Sequence, residues 1–339
     1  MKVLTNVSLK PHNTFGIDVQ ARYFSSFSNL YELEQVLEYS SLVAANQLLI
    51  LGGGSNILFT RDVDGVVAKN SIRGIDVAGE DEDFVYVRVG AGENWHQFVL
   101  YCLEKDFAGV ENLSLIPGNV GASPMQNIGA YGVEIKDVFH ELEAFDLNEK
   151  KLTRFLLDDC EFGYRESVFK RRLKNQFVIS SVTYKLRKKP VYNTSYGAIQ
   201  QELEKMGVLE LSIKAISQAV INIRSSKLPD WNVVGNAGSF FKNPQIPDEQ
   251  FQTLKFRFPD VVAFPAANGY TKLAAGWLIE QCGWKGYRER DAGCYIKQAL
   301  VLVNYGSARG DELFALSEKI ISSVHQKFGV ELEREVNIF

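Results

Sequence analysis

The chain has 339 residues, of which 46% are hydrophobic, and this is more than one hydrophobic core usually organises. Its length therefore predicts about two domains. The formal net charge is -4 at pH 7, which excludes a general electrostatic attraction to nucleic acid or to an anionic membrane surface. An anionic ligand must instead meet a local group of basic residues.

Targeting and metal-binding signals are weak. The first residues, MKVLTNVSLKPHNTFGI, lack the apolar core of a secretory signal peptide, and no apolar run approaches the ~18 residues of a membrane span. We therefore expect a cytoplasmic protein. The four cysteines form no C-x-x-C pair and the four histidines are far apart in sequence, which disfavours a disulfide framework or a local zinc site. We expect no metal.

The first half of the chain combines strands with a helix. FVYVRVG alternates between apolar and other residues and predicts a strand, and the apolar spacing from Asn94 to Leu103 predicts a helix with one buried face. ELEAFDL and KKLTRFLL predict two short strands joined by a turn at 148–150, and FVISSVTYKL predicts a longer strand. This half is expected to be α+β.

The second half begins after a polar, tyrosine-bearing run, KKPVYNTSYGAIQQELEKMG, which we interpret as a boundary region. Beyond it, apolar spacing predicts a helix at 213–223, a helix in LAAGWLIEQCG that ends at Gly283, a strand in ALVLVN and a long helix that ends near Gly329. A smaller α/β domain is expected here.

Two glycine-rich segments point to phosphate binding. LILGGGSNILF places glycines directly after an apolar strand, where bare backbone N–H groups can face phosphate oxygens. Ile57 stands where a dinucleotide fingerprint needs its last glycine, and in GAGENW that position holds Trp95. The stretch IPGNVGASPMQNIGAYG, residues 116–132, is long for a loop without secondary structure, and such loops tend to be functional.

Ten motifs in this order resemble the UDP-N-acetylenolpyruvoylglucosamine reductase (MurB, UDP-N-acetylmuramate dehydrogenase) family. They run from about Leu9 to Glu335 and are ILGGGSN, GAGENWH, IPGNVGASPMQNIGAYG, FGYRES, SYG, SSKLPD, NAGSFFKNP, KLAAGWLIEQCG, QALVLVN and LEREV. The SYG segment is similar to the branch of the family with a tyrosine lid loop. These flavoenzymes complete UDP-N-acetylmuramate in bacterial peptidoglycan synthesis.

The resemblance implies an FAD-binding domain of the PCMH or vanillyl-alcohol-oxidase type, followed by a smaller α/β substrate-binding domain. It implies an FAD-binding domain at 1–187 with lobes at about 1–69 and 70–187, a tyrosine-bearing lid and linker at 188–216, and a substrate-binding domain at 217–339. FAD is expected to be non-covalent. The implied cofactor-binding residues are Gly52, Gly53, Gly54, Ser55, Asn56, Pro117, Gly118, Gly121, Ala122, Ser123, Gln126, Asn127, Gly129, Ala130, Tyr131 and Gly132.

The implied reaction is reduction of an enolpyruvyl ether, with NADPH as co-substrate and hydride delivered from FAD to the methylene carbon. The family's motifs assign three catalytic roles. Arg165 and Glu335 would stabilise the enolate, and Ser239 would donate the proton. Without the other motifs, a polar turn residue between buried aromatics would be the better interpretation of Ser239.

The choice of glutamate is open on spacing alone. Glu331, Glu333 and Glu335 alternate along an expected strand and share one face. The family commonly has proline before the key glutamate, whereas Arg334 stands here.

The resemblance also implies that Tyr164, Tyr196, Lys227, Asn243 and Gln298 contact a sugar-nucleotide substrate. We expect a monomer that binds small molecules and neither nucleic acid nor membrane. Two alternatives remain: another FAD oxidase of this fold that acts on a sugar or an alcohol, and a nucleotide-sugar-binding regulator without turnover. Such an oxidase would lack the combination of Arg165, Ser239 and Glu335, and a regulator would release no FAD on heating.

Overall fold

A computed structural model describes residues 1–43 and 47–339. The α-helices of this part are α1 (Leu30–Leu42), α2 (Trp95–Glu104), α3 (Gly197–Lys205), α4 (Ile213–Lys227), α5 (Asp248–Arg257), α6 (Ala275–Gln281) and α7 (Gly310–Phe328). The strands are β1 (Leu4–Ser8), β2 (Gln20–Phe27), β3 (Leu48–Leu51), β4 (Ile57–Leu58), β5 (Val63–Asn70), β6 (Ile75–Glu80), β7 (Phe84–Gly90), β8 (Gly129–Ala130), β9 (Val133–Glu134), β10 (Phe139–Asp146), β11 (Lys151–Leu156), β12 (Phe177–Arg187), β13 (Gly235–Asn236), β14 (Gln245–Pro247), β15 (Ala263–Pro265), β16 (Tyr270–Leu273), β17 (Arg288–Glu289), β18 (Ala292–Cys294), β19 (Leu302–Asn304) and β20 (Asn337–Ile338).

The chain divides into two compact units. The first unit comprises Met1–Val7, Ala21–Gly53 and Asp64–Ser226, and the second comprises Ser8–Gln20, Gly54–Val63 and Lys227–Phe339. Two N-terminal segments therefore belong with the C-terminal residues. Compactness alone does not define a functional domain, so the limits expected from the sequence stay a prediction.

The first unit is built on a five-stranded antiparallel sheet in the order β11-β10-β12-β7-β6. Its longest strand, β12, is buried over most of its length, since the core covers one of its faces and neighbouring elements cover the other. Trp95 meets both Phe98 and Tyr184 edge to face in this core, and the centres of the Trp95 and Tyr184 rings are 5.7 Å apart. A second sheet, β1-β2-β5-β3, packs its buried face against α1.

The second unit contains a four-stranded antiparallel sheet, β13-β19-β18-β17, a three-stranded sheet, β14-β16-β15, and the parallel pair of β4 and β20. Helix α7 packs on the first of these sheets through a stripe of buried residues that includes Leu313, Leu316, Ile320 and Val324. It ends at Gly329, whose φ of +68° is the left-handed conformation that glycine adopts readily.

Most elements predicted from periodicity are confirmed, including the strands at 84–90 and 177–186, the helix that begins after Asn94, and helices α4, α6 and α7. One helix was not predicted, and one expectation was wrong. The polar run after Arg187 contains helix α3, which buries only Ile199 and Leu203 and so shows little periodicity. The segment at 331–335 forms a single bridge between Arg334 and Phe241 instead of a strand.

Candidate active site

Two glycine-rich segments touch within the first unit. A Cβ atom at Gly53 would lie 2.8 Å from the Cα of Gly118 and 2.9 Å from the side-chain oxygen of Asn119. Real Cβ atoms do not approach a backbone so closely, so only glycine allows the two segments to meet in this way. Gly52 lies beside them, directly after β3. The backbone of both segments is therefore bare where they meet.

The segment at Gly118 is held by the GAGENW stretch, which matched no fingerprint. The Gly118 carbonyl accepts a hydrogen bond of 3.0 Å from the Trp95 N–H, and the Val120 N–H donates to the Glu93 carbonyl at 2.9 Å. A Cβ at Gly121 would lie 2.6 Å from the Cβ of Ala91. A close, side-chain-free backbone surface of this kind fits the phosphate groups of a dinucleotide cofactor such as FAD.

The rest of the 116–132 segment was expected to be a loop without secondary structure, which was wrong. It contains a 3-10 turn at Val120–Ala122 and the strand β8, which pairs with β9 in a short hairpin. The hairpin tip is formed by Tyr131 and Gly132, with φ of +50° and +83°. A turn with two left-handed residues matches the twist of a two-residue hairpin. Pro117, Gln126, Gly129 and Ala130 are half-buried along this segment, and Ala122 is exposed.

The side chains of two predicted cofactor-binding residues form hydrogen bonds to other residues of the protein. The Ser123 hydroxyl is buried and lies 2.7 Å from the Tyr184 hydroxyl. Asn127 is fully buried, donates to Glu134 and to the Gly163 carbonyl at 3.0 Å, and accepts from the Lys136 N–H at 3.0 Å. These contacts shape the loop, so any role of either residue in cofactor binding passes through the backbone.

The predicted 52–56 loop passes from the first unit to the second at Gly54, and Gly54 and Asn56 have partners in the second. The Gly54 carbonyl accepts from the Thr14 N–H at 3.0 Å, and a Cβ at Gly54 would collide with the His12 carbonyl. The Asn56 amide donates to the Glu335 carbonyl at 3.2 Å. Ser55, which is half-buried, lies between them. Asn56 thus holds the C-terminal segment.

Arg165 lies in the first unit beside the 116–132 segment. It sits in a tight turn between Gly163 and Glu166, with a φ of +54°, and its guanidinium donates to the Gly129 carbonyl at 2.6 Å. The Tyr164 ring lies 5.4 Å from the Arg165 guanidinium carbon, within the range of a cation–π contact. The left-handed backbone and the anchored guanidinium fix where this charge lies.

The tyrosine-bearing run is attached to the hairpin tip. Asn193 donates to the Gly132 carbonyl at 3.0 Å, and Asn112 donates to the carbonyls of Tyr131 and Asn193 at 3.0 and 2.9 Å. Tyr196 precedes α3 and meets the Tyr131 ring edge-on, with the ring centres 5.3 Å apart. Arg165, Tyr164, Tyr131 and Tyr196 therefore belong to one region of the first unit.

Ser239 lies on the surface of the second unit, in a turn shaped by Asn236. The buried Asn236 side chain accepts from the Gly238 N–H at 3.0 Å and donates to the carbonyls of Val234 and Pro229. Gly238 has a φ of +69°. Within this unit the rings of the two following phenylalanines, Phe240 and Phe241, fill the core, and the Phe240 ring packs edge-on against Phe15.

The structure gives different surroundings to the three glutamates that spacing alone could not distinguish. The Glu335 N–H donates to the Phe240 carbonyl at 2.8 Å, which places Glu335 beside the residue that follows Ser239. Glu333 instead forms an ion pair of 2.5 Å with the buried Lys242, and Glu331 is exposed. No strand forms here because the Glu335 carbonyl bonds to the Asn56 amide and Arg334 turns toward α7.

The predicted substrate contacts of the second unit lie at two places. Asn243 and Gln298 both lie beside the start of α6, where Asn243 accepts from the Ala275 N–H at 2.9 Å. A Cβ at Gly276 would lie 3.0 Å from the side-chain oxygen of Gln298. Lys227 is exposed at the end of α4.

Sequence reasoning missed three residues that shape these regions, namely Asn236, His96 and Arg224. The Leu115 N–H donates to Nδ1 of His96 at 3.0 Å, which supports the left-handed conformation of Leu115, with a φ of +59°. Burial, and then the charge of Arg224, lower the pKa of His96. Asn236 had a signal in the sequence, since asparagine two residues before glycine favours a side-chain-stabilised turn.

The described residues contain no group of three or more His, Cys, Asp or Glu side chains suited to a metal ion. Burial raises the pKa of the Cys160 and Cys294 thiols to about 12, so both stay protonated at neutral pH. In the part of the chain that is described, no helix is long and apolar enough to cross a bilayer.

Comparison with known proteins gives full-length similarity. A family profile described as UDP-N-acetylenolpyruvoylglucosamine reductase, C-terminal domain, matches residues 229–339, and a profile described as FAD binding domain matches residues 31–153. The UDP-N-acetylenolpyruvoylglucosamine reductase of Amoebophilus asiaticus is 51% identical over 338 residues, covering 100% of this chain and 99% of the relative. The protein of the same name from Pseudomonas syringae pv. tomato is 50% identical over 339 residues, with the same coverage.

Among solved structures, a MurB crystal structure from Thermus caldophilus has a TM-score of 0.69 at 22% identity, and the match covers 100% of this chain and 98% of that one. This likeness concerns the fold. Together with the two profiles, it confirms the predicted fold class, an FAD-binding domain followed by a second domain of mixed helices and sheets.

Proposed function

Because the chain belongs to the UDP-N-acetylenolpyruvoylglucosamine reductase family, we propose that it reduces UDP-N-acetylglucosamine enolpyruvate to UDP-N-acetylmuramate, with FAD as cofactor and NADPH as co-substrate. The observation that carries this proposal is identity of about half of all residues over the full length of curated relatives. The reaction serves peptidoglycan synthesis, and through the cell wall it serves cell shape and division. Membership of this family favours the reductase over an unrelated FAD oxidase or a regulator without turnover.

The glycine segments of the first unit are the proposed FAD site. Gly52, Gly53, Gly118 and Gly121 would present backbone to the diphosphate, which the contact between Gly53 and Gly118 supports. The Gly129–Gly132 hairpin would line the same site. When bound, FAD supplies hydride transfer, which no side chain of the protein can perform. The protein binds the cofactor, orients the substrate and manages the proton and the developing charge.

Arg165 is the proposed partner of the substrate carboxylate. Negative charge develops beside that carboxylate as the double bond is reduced, and a fixed guanidinium stabilises it more in the transition state than in the ground state. One N–H of Arg165 is bound to the Gly129 carbonyl, which orients the rest of its donor fork. Tyr164 packs on the guanidinium and limits its motion.

Ser239 is the proposed proton donor and Glu335 the proposed acid that assists the same intermediate. Support comes from the exposure of Ser239 and from the bond between the Glu335 N–H and the Phe240 carbonyl, which places Glu335 beside the residue that follows Ser239. A hydroxyl is a weak acid, so the proton transfer depends on close positioning and on reprotonation by a neighbour or by water.

Lys227, Asn243, Gln298 and Tyr196 are the proposed contacts of the sugar nucleotide, with Lys227 supplying positive charge for the diphosphate and Tyr196 acting as a lid. The substrate is a small molecule. We further propose that the enzyme acts as a monomer in the cytoplasm, where both nucleotides are supplied, and binds no nucleic acid, in accord with a net charge of -4.

The test is product formation by the purified protein. Incubation with NADPH and UDP-N-acetylglucosamine enolpyruvate should consume NADPH and give a product two hydrogens heavier by mass spectrometry. A reaction without the enolpyruvyl compound is the control and should consume little NADPH. Rapid NADPH consumption by oxygen with no conversion of the sugar nucleotide would contradict the proposal and favour an oxidase.

A further inference from the structure

Arg224 on helix α4 carries a buried polar atom that has no partner among the described residues. Part of the residue reaches solvent, but its Nε is shut off from it and makes no hydrogen bond to any described residue. Among these residues, no carboxylate pairs with the guanidinium. A buried donor without a partner costs about 1–3 kcal/mol, and more when the group is charged. Such an atom in a native fold calls for an explanation.

The charge of Arg224 interacts with three groups, Arg165, Tyr131 and His96. Burial lowers the pKa of Arg224, Tyr131 opposes this shift, and the charge of Arg165 adds to it. Burial raises the pKa of Tyr131 despite the opposing influence of Arg224, so the phenol is neutral. His96 is also neutral at physiological pH, since its pKa is lowered and its Nδ1 accepts from the Leu115 N–H. Two guanidiniums thus share a region with two neutral rings.

The charge of Arg165 disfavours the charged form of the buried Arg224, and an anion bound to Arg224 would relieve this unfavourable interaction. Arg165 is held in this region by its bond to the Gly129 carbonyl and by its left-handed backbone. The Nε–H of Arg224 is a donor with no acceptor among the described residues. The region therefore has both the charge and the hydrogen-bonding capacity to accept a negatively charged group.

We propose that Arg224 is a second anion-binding guanidinium beside Arg165, and that its Nε–H donates to a negatively charged, oxygen-bearing group of a bound ligand. This inference rests on the proposed function, which supplies such a group from two sources. One is the ring of FAD in its reduced form, which carries delocalised negative charge at N1 and the adjacent carbonyl. The other is the carboxylate of the enolpyruvyl substrate.

The test compares Arg224→Gln and Arg224→Lys with Lys214→Gln in the FAD-loaded enzyme. Lys214 is on the same helix and pairs at the surface with Asp106 at 3.1 Å, so its substitution changes the same net charge away from the site. Two quantities are measured: the reduction potential of bound FAD by equilibration with a dye, and the Kd of the sugar nucleotide by perturbation of flavin absorbance. Neither requires turnover.

A more negative potential with an unchanged Kd identifies the flavin as the source of the anion. Weakening of substrate binding by about 10- to 100-fold with an unchanged potential, the effect of losing a hydrogen bond to a charged group, identifies the substrate. Arg224→Lys should fall between wild type and Arg224→Gln, since it keeps the charge and loses Nε–H. The inference would be overturned if Arg224→Gln changed neither the potential nor the Kd. It would also be overturned if Lys214→Gln changed them by the same amount.

Failure of the proposed function would look different. A wild-type enzyme whose reduced flavin is not reoxidised by the enolpyruvyl compound would remove that function, while an effect of Arg224 on the flavin potential would stand.

Discussion

If Ser239 is a proton donor and not only a turn residue, its hydroxyl should affect the rate of only one half-reaction, the reoxidation of FAD by substrate. We predict that Ser239→Ala binds FAD and is reduced by NADPH at close to the normal rate, because that step protonates no carbon. Reoxidation by the enolpyruvyl substrate should slow by about 10²- to 10⁴-fold, the usual contribution of a positioned acid. Stopped-flow absorbance of the flavin resolves both steps.

Ser239→Cys is the matched variant, because it keeps a transferable proton on a larger atom and should recover part of the reoxidation rate. Equal slowing of both steps in Ser239→Ala, or normal reoxidation, would leave Ser239 as the turn residue that its neighbours Gly238 and Asn236 also explain.

Glu111 gives a pH-dependent prediction. It is 2% exposed, and burial raises the pKa of its carboxyl although the Gly109 N–H donates to it at 2.6 Å. A raised pKa in the folded state means that the contribution of Glu111 to stability is full below its unfolded pKa and is lost as pH rises through the folded value. Glu111→Gln, which removes the charge, should therefore gain stability over wild type as pH rises from about 4.5, near the unfolded pKa, toward neutrality.

The measurement for Glu111 is the free energy of unfolding in urea across that pH range. The exposed Glu82→Gln is the control and should show no such trend. A difference between Glu111→Gln and wild type that stays constant with pH would contradict the prediction.

At the scale of elements, the contact between the two glycine segments can be tested by one methyl group. Gly53→Ala would place its Cβ 2.8 Å from the Cα of Gly118, so one segment must move. We predict that the variant folds but loses FAD at least about tenfold more readily, since a shift of the backbone misplaces its N–H groups. Fluorescence of released FAD during dialysis measures the loss.

Gly79→Ala is the control for Gly53, since Gly79 lies on the exposed strand β6 and its Cβ would meet nothing within 4 Å. Equal FAD retention by both variants would show that the meeting of the segments at Gly53 and Gly118 is not part of the cofactor site.

The C-terminal segment is held by Arg334, at a position where the family commonly has proline. Its guanidinium donates to the Ser317 hydroxyl at 2.8 Å, pairs with Glu318 and lies 4.6 Å from the Phe314 ring centre, all on α7. We predict that Arg334→Ala lowers kcat about tenfold with little change in substrate affinity, because Glu335 loses its fixed position. Glu318→Gln removes only an exposed ion pair and should change little. Equal kcat in the two variants would refute a positioning role for Arg334.

Local pattern predicted the long elements well because their apolar spacing reports which face is buried. Helix α7 and strand β12 are examples. Helix α3 was missed because two buried residues in nine positions give almost no period. The 331–335 segment alternates like a strand, yet its partners are an asparagine amide from Asn56 and a single bridge to Phe241. Contacts so distant in sequence leave no local signal.

For the candidate site, the motifs name residues, and the roles of those residues stay a prediction. The motifs named Arg165 and Ser239, but they did not reveal that the side chains of Asn127 and Ser123 form hydrogen bonds within the protein. Arg224 was passed over because a lone arginine on an amphipathic helix looks like a solvated charge. Only the surrounding packing shows that its Nε is buried and has no partner among the described residues.

At the scale of the whole molecule, the order of motifs along the chain indicates the family, whereas the division into units does not follow from the sequence. Residues 8–20 and 54–63 join the second unit through contacts such as the Thr60 N–H to the Phe339 carbonyl and the parallel pairing of β4 with β20. These contacts link residues more than 270 positions apart, and no periodicity reports them.

The central claim is that this chain carries electrons from NADPH to an enolpyruvyl sugar nucleotide through bound FAD. The most direct measurement is an anaerobic titration in two stages, followed by flavin absorbance. We predict that NADPH alone bleaches the oxidised flavin, and that stoichiometric UDP-N-acetylglucosamine enolpyruvate then restores it while UDP-N-acetylglucosamine does not. A flavin that stays reduced after the enolpyruvyl compound is added, and is reoxidised only when oxygen is admitted, would contradict the account.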